Sequence, residues 1–184
     1  MFATSFTASS VNSILMWIAI LLNLLLTLTL IRQFSQISAN LSAFPNMDVG
    51  LETGSQAPDF KAETLSGETV TLINYLGKVV TFIFFSPHCS ACVDKIPQLN
   101  ALAAKVKESN KELVLVNTDG DRATTATFAE KHQLTLPILV APFDRNPFAS
   151  LYKADATPSY CTLNPESYVE ASGLLEADWE MHLI

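Results

Sequence analysis

Positive charge is scarce in this chain. Eleven lysines and arginines face 18 aspartates and glutamates over 184 residues, a formal charge of -7 with no basic cluster. Such a balance makes a poor partner for nucleic acid or for anionic lipid headgroups, which select patches of Lys and Arg. Cysteine is scarce as well, with three in all. Three thiols cannot build a disulfide framework. No second C-x-x-C or H-x-x-x-H pair completes the four ligands of a structural zinc. One pair and one spare is the economical count, and no metal or cofactor is expected. Internal repeats and low-complexity tracts are missing too.

What the chain has instead is apolar sequence. Hydrophobic residues make up 49% and charged ones only 16%, and part of that skew is local. Residues 14–31, ILMWIAILLNLLLTLTLI, carry no charge, and only Asn23, Thr27 and Thr29 are polar. Eighteen such residues are just long enough for a transmembrane helix. Trp17 suits one membrane interface, and Arg32 closes the other end. A cleaved signal peptide is the rival reading. It wants Lys or Arg ahead of a shorter apolar core, and residues 1–13 have neither. The expected organisation is an N-terminal tail (1–13), an anchor (14–31), a tether (32–53) and one folded domain (54–184). Arg32 alone weakly favours a cytoplasmic C-terminal side.

The domain is organised around Phe84 to Pro97, FFSPHCSACVDKIP. An apolar, β-branched and aromatic run, Val79 to Phe85, reads as a central strand covered on both faces. It stops at Ser86-Pro87. Cys89-Ser90-Ala91-Cys92 follows, opening a helix expected from about Cys89 to Ser109 with Pro97 as a kink. Unpaired amides and the positive dipole end of a helix stabilise a thiolate at Cys89. Cys92, one turn along the same face, is within reach of a disulfide.

Around this unit, Gly54 to Phe60 leads into an extended segment, and a turn at Leu65-Ser66-Gly67 before Glu68 to Leu72 gives a hairpin. Glu112 to Val116 is a second buried strand. Thr118 to Asp121 is a turn, and Arg122 to His132 a helix. Leu136 to Val140 suggests a strand, Pro147 to Lys153 a short helix. Ser159 to Leu163 and Tyr168 to Ala171 form an antiparallel pair across Asn164–Ser167. Glu176 to Ile184 closes as an amphipathic helix. This order predicts an α/β fold, a central mixed sheet flanked by helices on both faces with an N-terminal β-hairpin. Cys161 reads as a small buried hydrophobe. His132 and His182 read as surface or capping residues.

Residues 54–184 resemble the thioredoxin-like superfamily, in its membrane-tethered TlpA-like (redoxin) branch. GSQAPDF resembles that branch's opening strand, and Gly67 and Gly77-Lys78-Val79-Val80 fall at its hairpin turn and first core strand. The dithiol Cys89/Cys92 and the helix-kinking Pro97 match as well. Thr157-Pro158 resembles the threonine–cis-proline pair that lies beside the dithiol and holds substrate backbone. FFSPHCSAC and the ending GLLEADWEMHLI resemble the methylamine-utilisation accessory proteins (MauD). The pattern departs at three places. Ile83 and Lys95 stand where relatives carry acids that help deprotonate the buried thiol, and Asp94 is a weak substitute facing solvent. His88 replaces the usual tryptophan, and its cation would favour the Cys89 thiolate.

The resemblance implies a thiol–disulfide oxidoreductase that reduces, forms or isomerises disulfides. Cys89 and Cys92 are its catalytic pair, and Thr157, Pro158 and His88 its substrate-binding residues. The implied partners are exported clients with disulfides, a methylamine dehydrogenase-like enzyme among them, and a membrane redox partner that resets the dithiol. Because protein disulfides persist outside the cytoplasm, the domain is expected on the extracytoplasmic (periplasmic) side despite Arg32. Two alternatives stay open. A thiol peroxidase would place Ser or Thr three residues before its cysteine, as Ser86 is, but wants a proline at Phe82 and a nearby arginine. A copper-delivery module normally has three residues between its cysteines, where this chain has two.

Overall fold

The computed structural model describes residues 13–29, 49–107 and 111–175. The chain divides into two compact units, Met1–Met47 and Asp48–Ile184. In the first, residues 13–29 form helix α1, whose leucines and isoleucines are exposed. Thr27 and Thr29 return their hydroxyls to the carbonyls of Asn23 and Leu25, at 2.8 and 2.6 Å. Among the described residues no helix is long and apolar enough to cross a membrane. At ~1.5 Å per residue, α1 as described reaches about 26 Å of a hydrocarbon core ~30 Å thick. Residues 30 and 31 of the expected span, and the tether as far as 48, lie outside the described residues.

The second unit is built on one seven-stranded sheet in the order β2-β1-β5-β4-β3-β6-β7. Its strands are β1 (Lys61–Thr64), β2 (Thr69–Thr71), β3 (Val79–Phe85), β4 (Lys111–Asn117), β5 (Ile138–Val140), β6 (Ser159–Leu163) and β7 (Val169–Leu174). β3 is central, parallel to β4 and antiparallel to β6, so the sheet is mixed as expected. Its β-branched and aromatic side chains are buried on both faces, as a near-continuous apolar strand requires.

Each face has its own cluster. On one, Val80, Phe82 and Phe84 meet Phe60 and the short helix α4 (Phe148–Leu151). Phe60 stacks on Phe148 at 3.7 Å, and Phe82 meets both rings edge-on. On the other face, Ile83 and Phe85 lie under helix α2 (Ser90–Lys107), with Phe128 of α3 (Arg122–Lys131) beside them. Cys92, Ile96, Leu99, Leu102 and Val106 supply the buried stripe of α2, at helical spacing. Pro97 sits inside α2 on its exposed side, and its missing N–H leaves the Val93 carbonyl without a helical donor.

Several boundaries differ from the sequence reading. The extended segment after Phe60 forms as β1, whereas residues 54–60, which resemble the family's opening strand, make a single bridge, Gln56 to Tyr168. The hairpin forms across Gly67, whose φ of +90° favours glycine. Its second strand, however, ends at Thr71, where Asn74 Oδ1 accepts the Thr71 amide (2.8 Å) and starts a 3-10 turn, Leu72–Tyr75. His132 is the C-cap of α3 and not part of it. Strand β5 begins at Ile138 because Leu136 is followed by Pro137, which offers no N–H. Strand β7 continues through Gly173 to Leu174. The predicted closing helix, with His182, lies outside the described residues, as does Ser109. Residues 50–54 are already tied to the domain: the Gly50 amide donates to Lys153 O, Ser172 Oγ to Leu51 O and the Gly54 amide to Val169 O.

Candidate active site

The site lies at the carboxyl ends of the parallel strands β3 and β4, where loops of an open α/β sheet converge. Helix α2 begins one residue later than expected, at Ser90. The Cys89 carbonyl accepts the Cys92 and Val93 amides (both 3.1 Å), so Cys89 occupies the N-cap. At that position an ordinary helix places Ser or Asp, whose oxygen accepts the second and third amides. Here a sulfur takes that place.

The consequence is electrostatic. Burial raises the Cys89 pKa, but hydrogen bonds outweigh it and hold the thiol below its ordinary value of 9.0. They come from the Cys92 thiol and amide, from Thr157 and from the Ala91 amide. Cys89 is half-buried and remains accessible. Its Sγ is 3.4 Å from the Thr157 carbonyl. Cys92 is only 3% exposed. Burial, the largest cause, pushes its thiol up to about 12, despite a favourable contact with the Ser86 amide.

The absence of an acid under the pair is visible. Ile83 is fully buried in the same cluster as Cys92, so the position beneath the dithiol is apolar. Asp94 is exposed and Lys95 half-buried.

The other residues expected at the site are placed as follows. Thr157-Pro158 is a cis peptide at the mouth of β6, and the Pro158 carbonyl accepts the Leu175 amide at 2.9 Å. His88 is exposed, and its backbone N–H donates to Ser86 Oγ (3.1 Å). Cys161 is 1% exposed, paired with Phe82 across β6 and β3 on the face opposite Cys92. Burial pushes it to about 12. As expected, it packs as a small hydrophobe. His132 is half-buried, with its ring 4.5 Å from that of Phe128.

Sequence reasoning missed Asp119. Its carboxylate accepts the Ser86 hydroxyl at 2.9 Å, which joins the β4–α3 loop to the turn before the dithiol. The register of β3 on β4, Phe85 opposite Asn117, brings the two loops side by side. A turn signature at 118–121 was legible. Its neighbour was not.

Among curated proteins, the chain is similar to the thiol-disulfide oxidoreductase ResA of Oceanobacillus iheyensis, at 32% identity. That match covers 64% of this chain and 62% of that protein, somewhat under two-thirds of its length. ResA of Geobacillus kaustophilus is 29% identical over 71% of this chain and 75% of its own. Among solved structures, one described as a thiol:disulfide interchange protein DsbE of Chlorobium tepidum superposes with a TM-score of 0.63. Its identity is 26%, covering 72% of this chain and 93% of that one. The thioredoxin-like fold expected from the motifs is therefore the observed one. The AhpC/TSA family profile matches residues 53–172, and the chain belongs to the AhpC/TSA family.

Proposed function

We propose that the protein is a thiol–disulfide oxidoreductase in which Cys89 attacks and Cys92 resolves. The observation that carries this reading is the asymmetry of the pair. One sulfur is accessible with its pKa lowered by the Cys92 thiol and by helix amides, and the other is buried with its pKa raised. Thiol–disulfide exchange needs that division of labour. The Cys89 thiolate attacks a client disulfide, forming a mixed disulfide and releasing one client thiolate. Cys92 then gives up its proton to the released client thiolate and attacks Cys89 Sγ, breaking the mixed disulfide and expelling the second client sulfur as a thiolate that solvent protonates. The client leaves with two thiols, and the dithiol becomes a disulfide; run backwards, the same steps oxidise the client. The relatives named ResA and DsbE support the same chemistry.

Thr157 and Pro158 form the rim against which an extended client segment would lie, beside Cys89 and exposed His88. We further read residues 14–31 as a membrane anchor. Its support is the uncharged sequence, the exposed apolar side chains of α1 and the hydroxyls of Thr27 and Thr29 satisfied within the helix. The clients would then be exported, disulfide-bearing proteins, and a membrane redox partner would reset the dithiol. The resemblance of FFSPHCSAC to methylamine-utilisation proteins supports a dehydrogenase subunit as one such client.

A peroxide-reducing reading has Ser86 in its favour. Against it, the Ser86 hydroxyl is committed to Asp119, while Arg122 and Arg145 are held by Glu63 and Asp144. The deciding experiment is trapping. Cys92→Ser should accumulate a mixed disulfide with a model disulfide peptide, and Cys89→Ser should form none. Undiminished exchange by Cys89→Ser, or peroxide consumption far faster than disulfide exchange, sinks the proposal.

A further inference from the structure

We propose that Asp119 is the positioning residue of the dithiol, holding Ser86 and through it the turn from which Cys89 and helix α2 start. The inference rests on the oxidoreductase reading for its consequence and on the hydrogen-bond geometry for its support.

Two loops meet behind the cysteines. The β3–α2 turn carries Ser86, Pro87 and His88, and the β4–α3 loop carries Thr118 and Asp119. The second loop is a fixed platform. Asn117 is fully buried at the end of β4; its side chain donates to Asp119 O and to Thr125 Oγ1, each at 2.6 Å, and accepts the Asp119 amide at 3.1 Å. Thr125 in turn donates to Asp121 O. The loop is thus clamped from below, and the Asp119 side chain emerges from a backbone held on both sides.

From that platform the turn is gripped at two points. Thr118 donates its amide (2.9 Å) and its hydroxyl (3.1 Å) to Phe85 O. Asp119 Oδ2, on an exposed side chain, accepts from Ser86 Oγ at 2.9 Å. With its proton so committed, Ser86 Oγ presents a lone pair to the His88 amide (3.1 Å), while Ser86 O receives the Cys89 amide (3.1 Å). Both backbone bonds fix where Cys89 stands relative to the first turn of α2. The Cys92 thiol, and the Cys92 and Ala91 amides of that turn, lower the Cys89 pKa, and the Ser86 amide supports Cys92. Asp119 touches neither sulfur in this account; it acts through Ser86.

The titratable groups around the turn are His88 on the turn itself, Cys92 from α2, and Asp119 and Asp144 beside Ser86. Those two carboxylates line, with Ser86, Thr118 and Phe143, a depression of about 290 Å³. A carboxylate could also act by its field alone, disfavouring a nearby thiolate, so the two accounts predict opposite signs.

The test is the rate of Cys89 alkylation by iodoacetamide against pH, on the reduced, detergent-solubilised full chain. Mass spectrometry assigns the site. Asp119→Ala and Ser86→Ala should each raise the Cys89 midpoint and slow alkylation at neutral pH about two- to tenfold, the span of one hydrogen bond. The double variant should be no slower than either single, because both break one linkage. Asp119→Asn keeps an acceptor oxygen for Ser86 and should stay close to the unaltered protein. The proposal is overturned if Asp119→Asn and Asp119→Ala both speed alkylation while Ser86→Ala is silent, or if the single effects add. Protection of buried Cys161 reports the fold in each variant. Should Asp119→Ala expose it, Ser86→Ala against Asp119→Asn makes the same comparison. Trapping by Cys92→Ser, run in parallel, tests the oxidoreductase reading separately, since the alkylation series needs no client.

Discussion

Cys92 and Cys161 lie on opposite faces of the central sheet, one in the cluster under α2 and the other in the aromatic cluster against α4. Burial pushes both thiols to about 12. Burial is the largest cause for each, and it keeps both protonated and shielded from outside reagents at neutral pH. What separates them is the neighbourhood. Cys92 is one helical turn from an accessible sulfur and touches the Ser86 amide. Cys161 sits opposite Phe82 in a strand pair and has no second sulfur on its face among the described residues. Reactivity at this site therefore comes from helix-terminal amides and a neighbouring thiol, added to one face only. The other face supplies rigidity.

Substitutions separate the two faces. The largest effect is expected at the accessible sulfur: Cys89→Ser should abolish disulfide exchange and leave the thermal midpoint almost unchanged, measured by insulin reduction and calorimetry. Next comes the aromatic face. Phe82→Ala removes a fully buried ring packed edge-on against three others and Tyr152. It should cost about 3–5 kcal/mol in urea unfolding, while the Cys89 midpoint stays put in whatever fraction remains folded.

The smallest effect is expected from Cys161→Ala, at ~1–2 kcal/mol, and its signature is pH dependence. A thiol whose pKa is raised on folding stabilises the fold fully below its unfolded value, here 9.0. That contribution is lost as pH rises toward about 12. Between those values the unfolded chain has released a proton that the folded chain keeps, so stability falls by ~1.4 kcal/mol per pH unit for each such thiol. Cys161→Ala should remove one such slope. An unchanged alkaline slope would contradict the assignment of Cys161 to the sealed face.

Much of this was legible from residue types. Val79–Phe85, the C-x-x-C after Ser86-Pro87, and the stripe from Ile96 to Val106 each carry a local signature; β3 keeps its expected bounds, and α2 starts one residue late. The core role of Cys161 followed from its place in an apolar strand. Errors fell where tertiary contacts decide. Residues 54–60, likened to an opening strand, form a single bridge, and the second strand of the hairpin yields at Thr71 to an Asn74 side-chain bond. Cys89 proved to be a cap because capping is defined by amide geometry, which spacing does not reveal. Asp119 went unnoticed because its partner, Ser86, is 33 residues away. Only the β3–β4 register joins them.

Cys89, and neither of the buried thiols, is the sulfur proposed to attack. Site-resolved alkylation of the reduced protein across pH tests that assignment most directly. Cys89 should react first, with a midpoint below 9.0, while Cys92 and Cys161 stay protected until strongly alkaline pH. Reaction at Cys92 before Cys89, or all three titrating together near 9.0, would contradict it.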